Sequence, residues 1–235
     1  MLDFVFGQYL MKYAHTDVIH TQDTTNKLGV VIIATKPIFW LPFIIKNIID
    51  KIKKCNIYFL GSNDSIHLIR NILKIDTIKY ISINDFNVIK TYNKYLLNND
   101  FWNMFSEDYI LVTQPDCILL RDLNINDYKF DYIGAACGNL NDDFVINGGL
   151  SLRKRSVMID ICNNLNEEEQ SGNIPEDIVI TKKIKQQYKC PTIEDCMNFS
   201  VESIGNVHNV LGIHGTDKFY IHPSIKNNFV CKYLY

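Results

Sequence analysis

The first half of the chain alternates between short apolar runs and longer segments of helical period, and this alternation constrains the fold more than any other feature. Gly29 to Ala34 (Gly-Val-Val-Ile-Ile-Ala) is β-branched and suits a central strand. After the turn Thr35-Lys36-Pro37, residues Leu41, Ile44, Ile45, Ile48, Ile49 and Ile52 recur at helical spacing, with Lys46, Asn47, Asp50 and Lys51 on the other face. Pro42 is acceptable there because the first helical turn has no use for its missing N–H. The unit then repeats. Asn56 to Leu60 reads as a second strand, and Ser62 or Asn63 caps a helix over Ile66, Ile69 and Leu73. Tyr80 to Ile83 reads as a third strand, Thr91 to Phe105 as one aromatic-rich helix, and Tyr109 to Val112 as a fourth strand. Strands alternating with helices imply crossover connections, hence a mostly parallel sheet with helices on both faces.

The fourth strand stops at Thr113-Gln114-Pro115-Asp116, because proline cannot donate to a central ladder. Asp116 is thereby held at the carboxyl end of a buried strand, where open α/β sheets bind ligands. The alternative is an ordinary turn-former or helix cap. A second apolar run, Cys117 to Leu120, follows at once.

Beyond Asp116 the pattern changes. Asp131 to Ala136 reads as a short strand, and Asn147-Gly148 between apolar runs signals a hairpin turn. Ser156 is placed to cap a helix carrying Val157, Met158, Ile161, Cys162 and Leu165 inward. Glu167 to Gly172 reads as a solvated loop, and Pro175-Glu176-Asp177 opens a helix with Ile180, Ile184 and Tyr188 on one side. Cys190 to Glu202 is less regular, and the segment after Gly215 is aromatic and strand-like. Residues 1–27 are irregular and end in a polar run from Thr16 to Lys27, so the expected organisation is an arm or extension over 1–27 and one domain over 28–235.

Composition excludes several classes. A 47% apolar content supplies a sizeable core, and 24 basic residues against 26 acidic ones, without a basic block, argue against a nucleic-acid binder. The cysteines are odd in number, 7, and form no C-x-x-C pair, which disfavours both a zinc site and a disulfide scaffold and favours a reducing compartment. The N-terminus lacks a positively charged leader and no window is long and apolar enough to span a bilayer, so a cytoplasmic location is expected. P-loop, dinucleotide, nucleophile-elbow and zincin motifs are missing.

Three further clusters carry chemistry, each with a plainer alternative. Asn147-Gly148-Gly149 is either a tight turn, since glycine and asparagine tolerate positive φ, or a place where a ligand approaches the backbone. Pro175-Glu176-Asp177 is either a helix start suited to the helix dipole or the source of a general base, Asp177 or Glu176. His214, between Gly212 and Gly215, is either a packed histidine or a metal ligand. Asp116 with His214 would make a mixed oxygen and nitrogen site suited to Mn2+ or Mg2+ holding a diphosphate. Tyr92 and Trp102 are either stacking platforms or core.

The order of these features resembles the GT-A class of glycosyltransferases, and more narrowly an uncharacterised glycosyltransferase-like family of microbes and large DNA viruses. The matching segments are Val30 to Thr35, Asp100 to Trp102, Tyr109 to Asp116, Asp131 to Ala135, Asn147 to Arg153, Pro175 to Asp177, Phe199 to Glu202 and Gly212 to His214. The resemblance implies one GT-A-like α/β domain, Rossmann-like, with a mostly parallel central sheet and a smaller antiparallel part in the second half. It implies a nucleotide-sugar donor, UDP-linked by preference, over the strand ends at Ala34, Thr35 and Gly61, and a loop at Asn147, Gly148 and Gly149 lining the donor sugar. It also implies a metal-binding motif at 114–116, a catalytic carboxylate in 176–177 and a late histidine on the metal. The motif departs from the usual Asp-x-Asp: Gln114 replaces the first carboxylate, leaving Asp116 the only anion, with Gln114 free to hydrogen-bond a ribose or a water.

The expected activity is transfer of a sugar from a nucleotide-diphosphate donor to an acceptor hydroxyl, with inversion if Asp177 is the base. The competing expectation is a non-catalytic nucleotide-sugar or glycan-binding module on the same fold. A nucleotidyltransferase is disfavoured because Thr35-Lys36-Pro37 is not a glycine-rich loop.

Overall fold

A computed structural model describes residues 4–84, 89–138, 144–202, 205, 207–216 and 223–233. The chain begins with α1 (Phe4–Met11) and then alternates β1 (Leu28–Ala34), α2 (Leu41–Lys51), β2 (Asn56–Gly61), α3 (Asn63–Leu73) and β3 (Lys79–Ser82). Two short helices, α4 (Ile89–Leu96) and α5 (Asn99–Asn103), stand where the sequence suggests one, because Asn98 accepts from the Asp100 N–H and starts a new helix. β4 (Tyr109–Thr113) and a two-residue β5 (Ile118–Leu119) follow, then β6 (Tyr132–Cys137), β7 (Val145–Lys154) and α6 (Arg155–Asn163). The second half continues with α7 (Glu167–Gln170), α8 (Glu176–Gln187), α9 (Ile193–Phe199), β8 (Ser200–Val201), β9 (Gly212–Ile213) and α10 (Pro223–Tyr233).

The main sheet runs β3-β2-β1-β4-β7-β6. Its first four strands are parallel and fully register-matched, with Ile32 beside Thr113 and Ile33 beside Leu60. β7 is antiparallel to β4, and β6 to β7. A second sheet, β5-β9-β8, holds one antiparallel and one parallel pair. This is the expected α/β architecture, a mostly parallel central sheet with a smaller antiparallel part. Every residue of β1 and β2 is buried, as strands covered by helices on both faces require. α2 turns Leu41, Ile44, Ile45, Ile48 and Ile49 to the core, and Ser62 caps α3 by accepting from the Ser65 N–H.

Several elements depart from the sequence expectations, each for a local reason. α1 is a packed helix within the stretch read as irregular. Phe6, Tyr9, Leu10 and Tyr13 follow helical spacing into the core, while exposed Phe4 and Met11 blur the period. Of the segment read as strand-like after Gly215, Pro223–Tyr233 form α10, whose Phe229 packs edge-on to Phe6 at 4.8 Å, while residues 217–222 and 234–235 lie outside the described residues. Glu167–Gln170 is a helical turn closed by a capping box between Asn166 and Glu169, and α9 starts with the same device from Thr192 and Asp195. α6 begins at Arg155, with Lys154 rather than Ser156 at the cap.

The hairpin expected at Asn147-Gly148 is absent. β7 runs through it as one strand, and the register against β6 jumps from Ala136–Ile146 to Gly134–Ser151. The extra residues form a bulge that turns Asn147 to Gly149 away from the ladder, the usual way a strand re-aims its side chains beside a site.

Candidate functional site

The bulge, the end of β4, the start of α8 and the residue after β9 meet at one place. β4 ends when the Gln114 N–H donates to Gly149 O at 2.8 Å, and the Cys117 N–H closes the turn onto Gln114 O at 3.1 Å. Proline at 115 has no N–H to offer, and its carbonyl accepts from Trp40 Nε1 at 3.1 Å. The Asp116 carbonyl accepts from both the N–H and the hydroxyl of Thr216, at 3.0 and 2.8 Å, which fastens the segment after β9 to the end of β4. β9 is held to β8 by the His214 N–H donating to Val201 O at 2.9 Å. His214 is therefore delivered to Asp116 across a second small sheet, from 98 positions further along the chain.

A cleft of about 370 Å³ opens here, lined by Gln114, Asn147, Gly148, Gly149, Glu176, Asp177 and His214 from the site and by Tyr92, Asn93 and Ile89 of α4. The buried Asp116 lies beside it, with its Oδ1 3.5 Å from His214 Nε2. Gln114 Oε1 is 3.0 Å from the same nitrogen, and its Nε2 donates to Tyr92 Oη at 3.2 Å. The other ring nitrogen, Nδ1, is 3.5 Å from Glu202 Oε1, while Glu202 Oε2 accepts from Cys137 Sγ at 2.9 Å.

The glycines serve space rather than backbone conformation. Neither Gly148 nor Gly149 is among the glycines at positive φ. A Cβ on Gly149 would sit 2.2 Å from His214 Nε2, and one on Gly148 would sit 2.2 Å from Glu176 Oε1. The imidazole and the carboxylate thus lie flat against bare backbone. Asn147 Oδ1 accepts from the Gly149 N–H at 2.8 Å and fixes the bulge.

Under the bulge lies a buried ion pair. Arg153, 0% exposed, donates through Nη1 and Nη2 to the two Glu176 oxygens at 3.0 and 2.9 Å. Its Nη2 also donates to Gly148 O at 3.1 Å, its Nε donates to Ser151 Oγ at 2.9 Å, and the Tyr132 ring stands 5.0 Å from the guanidinium carbon. Such a pair costs desolvation, and a fully hydrogen-bonded geometry offsets that cost while fixing a single arrangement. Here it locks the bulge to the first turn of α8. Both Glu176 oxygens are thereby engaged by the Arg153 guanidinium. Asp177 accepts from the Ile178 N–H at 2.9 Å. Burial, with the Glu176 charge second, pushes its carboxyl up to about 6.

Not every expected residue converges. Ala34 and Gly61 face each other at the carboxyl ends of β1 and β2, and with Thr35 they stand outside the set lining the cleft. A Cβ on Gly61 would meet Ala34 O at 2.7 Å, so strand packing alone accounts for that glycine. Trp102 is wholly buried, with its Nε1 donating to Leu96 O at 2.9 Å, and is core; Tyr92 lines the cleft. Arg153, Glu202 and Cys117 were given no role from sequence. Arg153 opens the basic run Arg153-Lys154-Arg155, and nothing in that run marks it as the buried member.

The residues fit a divalent ion. Neighbouring ligands on an octahedral ion with bonds of about 2.1 Å stand about 3.0 Å apart. Gln114 Oε1, His214 Nε2 and Asp116 Oδ1 stand 3.0 and 3.5 Å apart in sequence. An imidazole whose second nitrogen faces a carboxylate, as His214 faces Glu202, is the usual support of a metal-bound histidine.

Fold and cleft together define an α/β architecture with a mostly parallel central sheet and a polar site at the carboxyl end of its fourth strand. The chain belongs to the family described as Protein of unknown function (DUF5672), whose model matches residues 75–214. That span takes in Gln114, Asp116, the bulge, Asp177 and His214. No curated protein matches the chain. Among solved structures it is similar to the apo-form glycosyltransferase GlyE of Streptococcus pneumoniae TIGR4, at 18% identity and a TM-score of 0.43, over 69% of this chain and 44% of that one. The chain thus spans less than half the length of that structure, and the likeness is too distant to carry residue roles. Among the described residues no helix is long and apolar enough to cross a membrane.

Proposed function

We propose that the chain is a glycosyltransferase that moves a sugar from a nucleotide-diphosphate donor, UDP-linked by preference, to an acceptor hydroxyl with inversion. The observation that carries this reading is the convergence in one cleft of a candidate base, Asp177, and a candidate ion site at Asp116, Gln114 and His214.

In this reading Asp116 and His214 would hold Mn2+ or Mg2+, with Gln114 Oε1 as a neutral third donor. The ion's chemistry there is to offset the negative charge that grows on a departing diphosphate. Gly148 and Gly149 leave room for the sugar against the backbone, and Asn147 presents its amide to it. Asp177 takes the proton of the acceptor hydroxyl as that oxygen attacks the anomeric carbon. Its raised pKa makes it a stronger base than a solvated aspartate while leaving it ionised at neutral pH. Arg153 and Glu176 act through position, holding the bulge and the start of α8 at a fixed separation. The donor nucleotide lies towards Ala34, Thr35 and Gly61.

One observation favours a second reading, a non-catalytic nucleotide-sugar or glycan-binding module. Position 114 is an amide already engaged by Tyr92 and His214. Turnover separates the two. Incubation with a panel of nucleotide sugars and Mn2+ should release nucleoside diphosphate slowly without acceptor and faster with one. Saturable donor binding with no release across the panel would establish the module instead.

A further inference from the structure

Cys117 plays no part in the reading above, yet its thiol stands in the same place. Asp116, Cys117 and His214 are all buried, and each offers a donor atom within 4.8 Å of the other two. Cys117 Sγ donates to Gly149 O at 3.1 Å, so it lies against the bare backbone that His214 also faces. The position is set by the fold: β5 starts at Ile118, directly after the turn that Gln114 to Cys117 closes.

Oxygen, sulfur and nitrogen from three side chains are a poor match for Mg2+ or Mn2+ alone, which take oxygen donors and water by preference. They match a zinc-class ion, which takes thiolate, imidazole and carboxylate together and keeps one position open when the protein supplies three ligands. On such an ion, with bonds of about 2.0–2.3 Å, neighbouring donors stand about 3.3–3.7 Å apart. The Asp116 Oδ1 to His214 Nε2 separation of 3.5 Å already has this value. Closing the remaining separations from the 4.8 Å limit requires a movement of only about 1 Å.

The geometry points to a thiophilic metal site of Asp116, Cys117 and His214 that holds a zinc-class divalent ion more tightly than Mn2+ or Mg2+. Binding exchanges the Cys117 S–H bond for a bond from sulfur to the metal, and the proton passes to solvent. The inference deepens the proposed metal-assisted reading of the same residues, but its test requires no sugar transfer. A failed transfer assay and a failed metal assay are therefore separate results.

The test is titration of the chelator-stripped full chain with Co2+ as the spectroscopic probe. A thiolate-to-cobalt charge-transfer band in the near ultraviolet is expected, together with visible bands of four-coordinate cobalt. Cys117→Ser should remove the charge-transfer band and weaken cobalt binding by about tenfold or more, as loss of a soft ligand requires. Cys137→Ser, which alters the thiol on Glu202, and Cys231→Ser, at an exposed site, should keep the band. X-ray absorption at the zinc edge on the unmodified chain needs no variant to fold, and should show one sulfur at about 2.3 Å beside lighter ligands. A shell of oxygen and nitrogen only, or a band that survives Cys117→Ser or vanishes in Cys137→Ser, overturns the site.

Discussion

The two halves of the main sheet bury different kinds of groups. In β1, β2 and β4 the interior is almost wholly Ile, Val, Leu and Phe, and the buried Asn56 and Tyr58 both donate to Glu107 Oε1 at the amino ends of the strands, away from the cleft. Around β7 the interior holds Ser151, Arg153, Glu176, Asp116, His214 and Thr216, and nearly every one of these polar contacts touches the bulge or the turn after β4. Apolar packing is tolerant of shape as long as volume is kept. A bidentate ion pair and an imidazole lying on glycine are not. The first half is a support, and the second half holds the polar groups of the site.

If that division holds, the largest effect should come from the group assigned to the reaction. Asp177→Asn keeps shape and removes the proton acceptor, so transfer should fall about 10²–10⁴-fold with donor affinity nearly kept. Steady-state kinetics on the variant check this; an unchanged kcat moves the base elsewhere. The wild-type rate should rise with pH through an acid limb centred near 6, where Asp177 ionises. Stability should move the other way. The folded pKa lies above the unfolded one, so the folded state holds the extra proton between roughly pH 4 and 6. The stabilisation this confers is complete below the unfolded value and is lost as pH rises through the folded one. Asp177→Asn should flatten that slope in urea titrations.

Next in size is the ion pair beneath the bulge. Glu176→Ala leaves Arg153 charged, buried and unpaired, and should cost about 3–5 kcal/mol in urea unfolding. Replacing the pair by apolar residues of similar volume should restore much of the stability but not transfer, since the bulge would lose its anchor at Gly148 O. Restored transfer would show that the pair is a stability device only.

The bulge itself gives a smaller, sharper test. Gly149→Ala puts a methyl group 2.2 Å from His214 Nε2, so the ring must move. Overpacking of this kind costs about 1–3 kcal/mol. Divalent-ion affinity, followed by calorimetry, should fall by more than stability does. Equal metal binding in the variant would place the ion away from His214.

These three sites differ in how far the sequence betrayed them. β1 to β4 were legible because β-branched runs and a period near four are local signals, and Ser62 was legible as a cap for the same reason. Asp116, Asp177 and His214 could be nominated one by one, since each residue type suits its chemistry. Their meeting in one cleft, and the pairing of Arg153 with Glu176, are non-local and leave no periodic trace. Asn147-Gly148 misled because the pattern that signals positive φ in a turn also serves where two side chains need bare backbone. α7 and α9 were missed although Asn166 to Glu169 and Thr192 to Asp195 spell out capping boxes, because each helix is too short to show a period.

The smallest effect belongs to the supporting half. Ile57 lies in β2, fully buried and paired with Val30, with β1 and β4 between it and the bulged β7. Ile57→Val removes one methyl group and should cost about 0.5–1.5 kcal/mol, with the m-value unchanged. No charge, hydrogen bond or glycine contact is touched, so the donor KM, metal affinity and the acid limb near pH 6 should all stay as they are. The value of the variant lies in that contrast with Gly149→Ala, whose stability cost overlaps its own. If a methyl group lost from β2 disturbs the site as much as one added at the bulge, the first half is not a passive support. Positioning would then have to be assigned to the sheet as a whole rather than to the polar groups around β7.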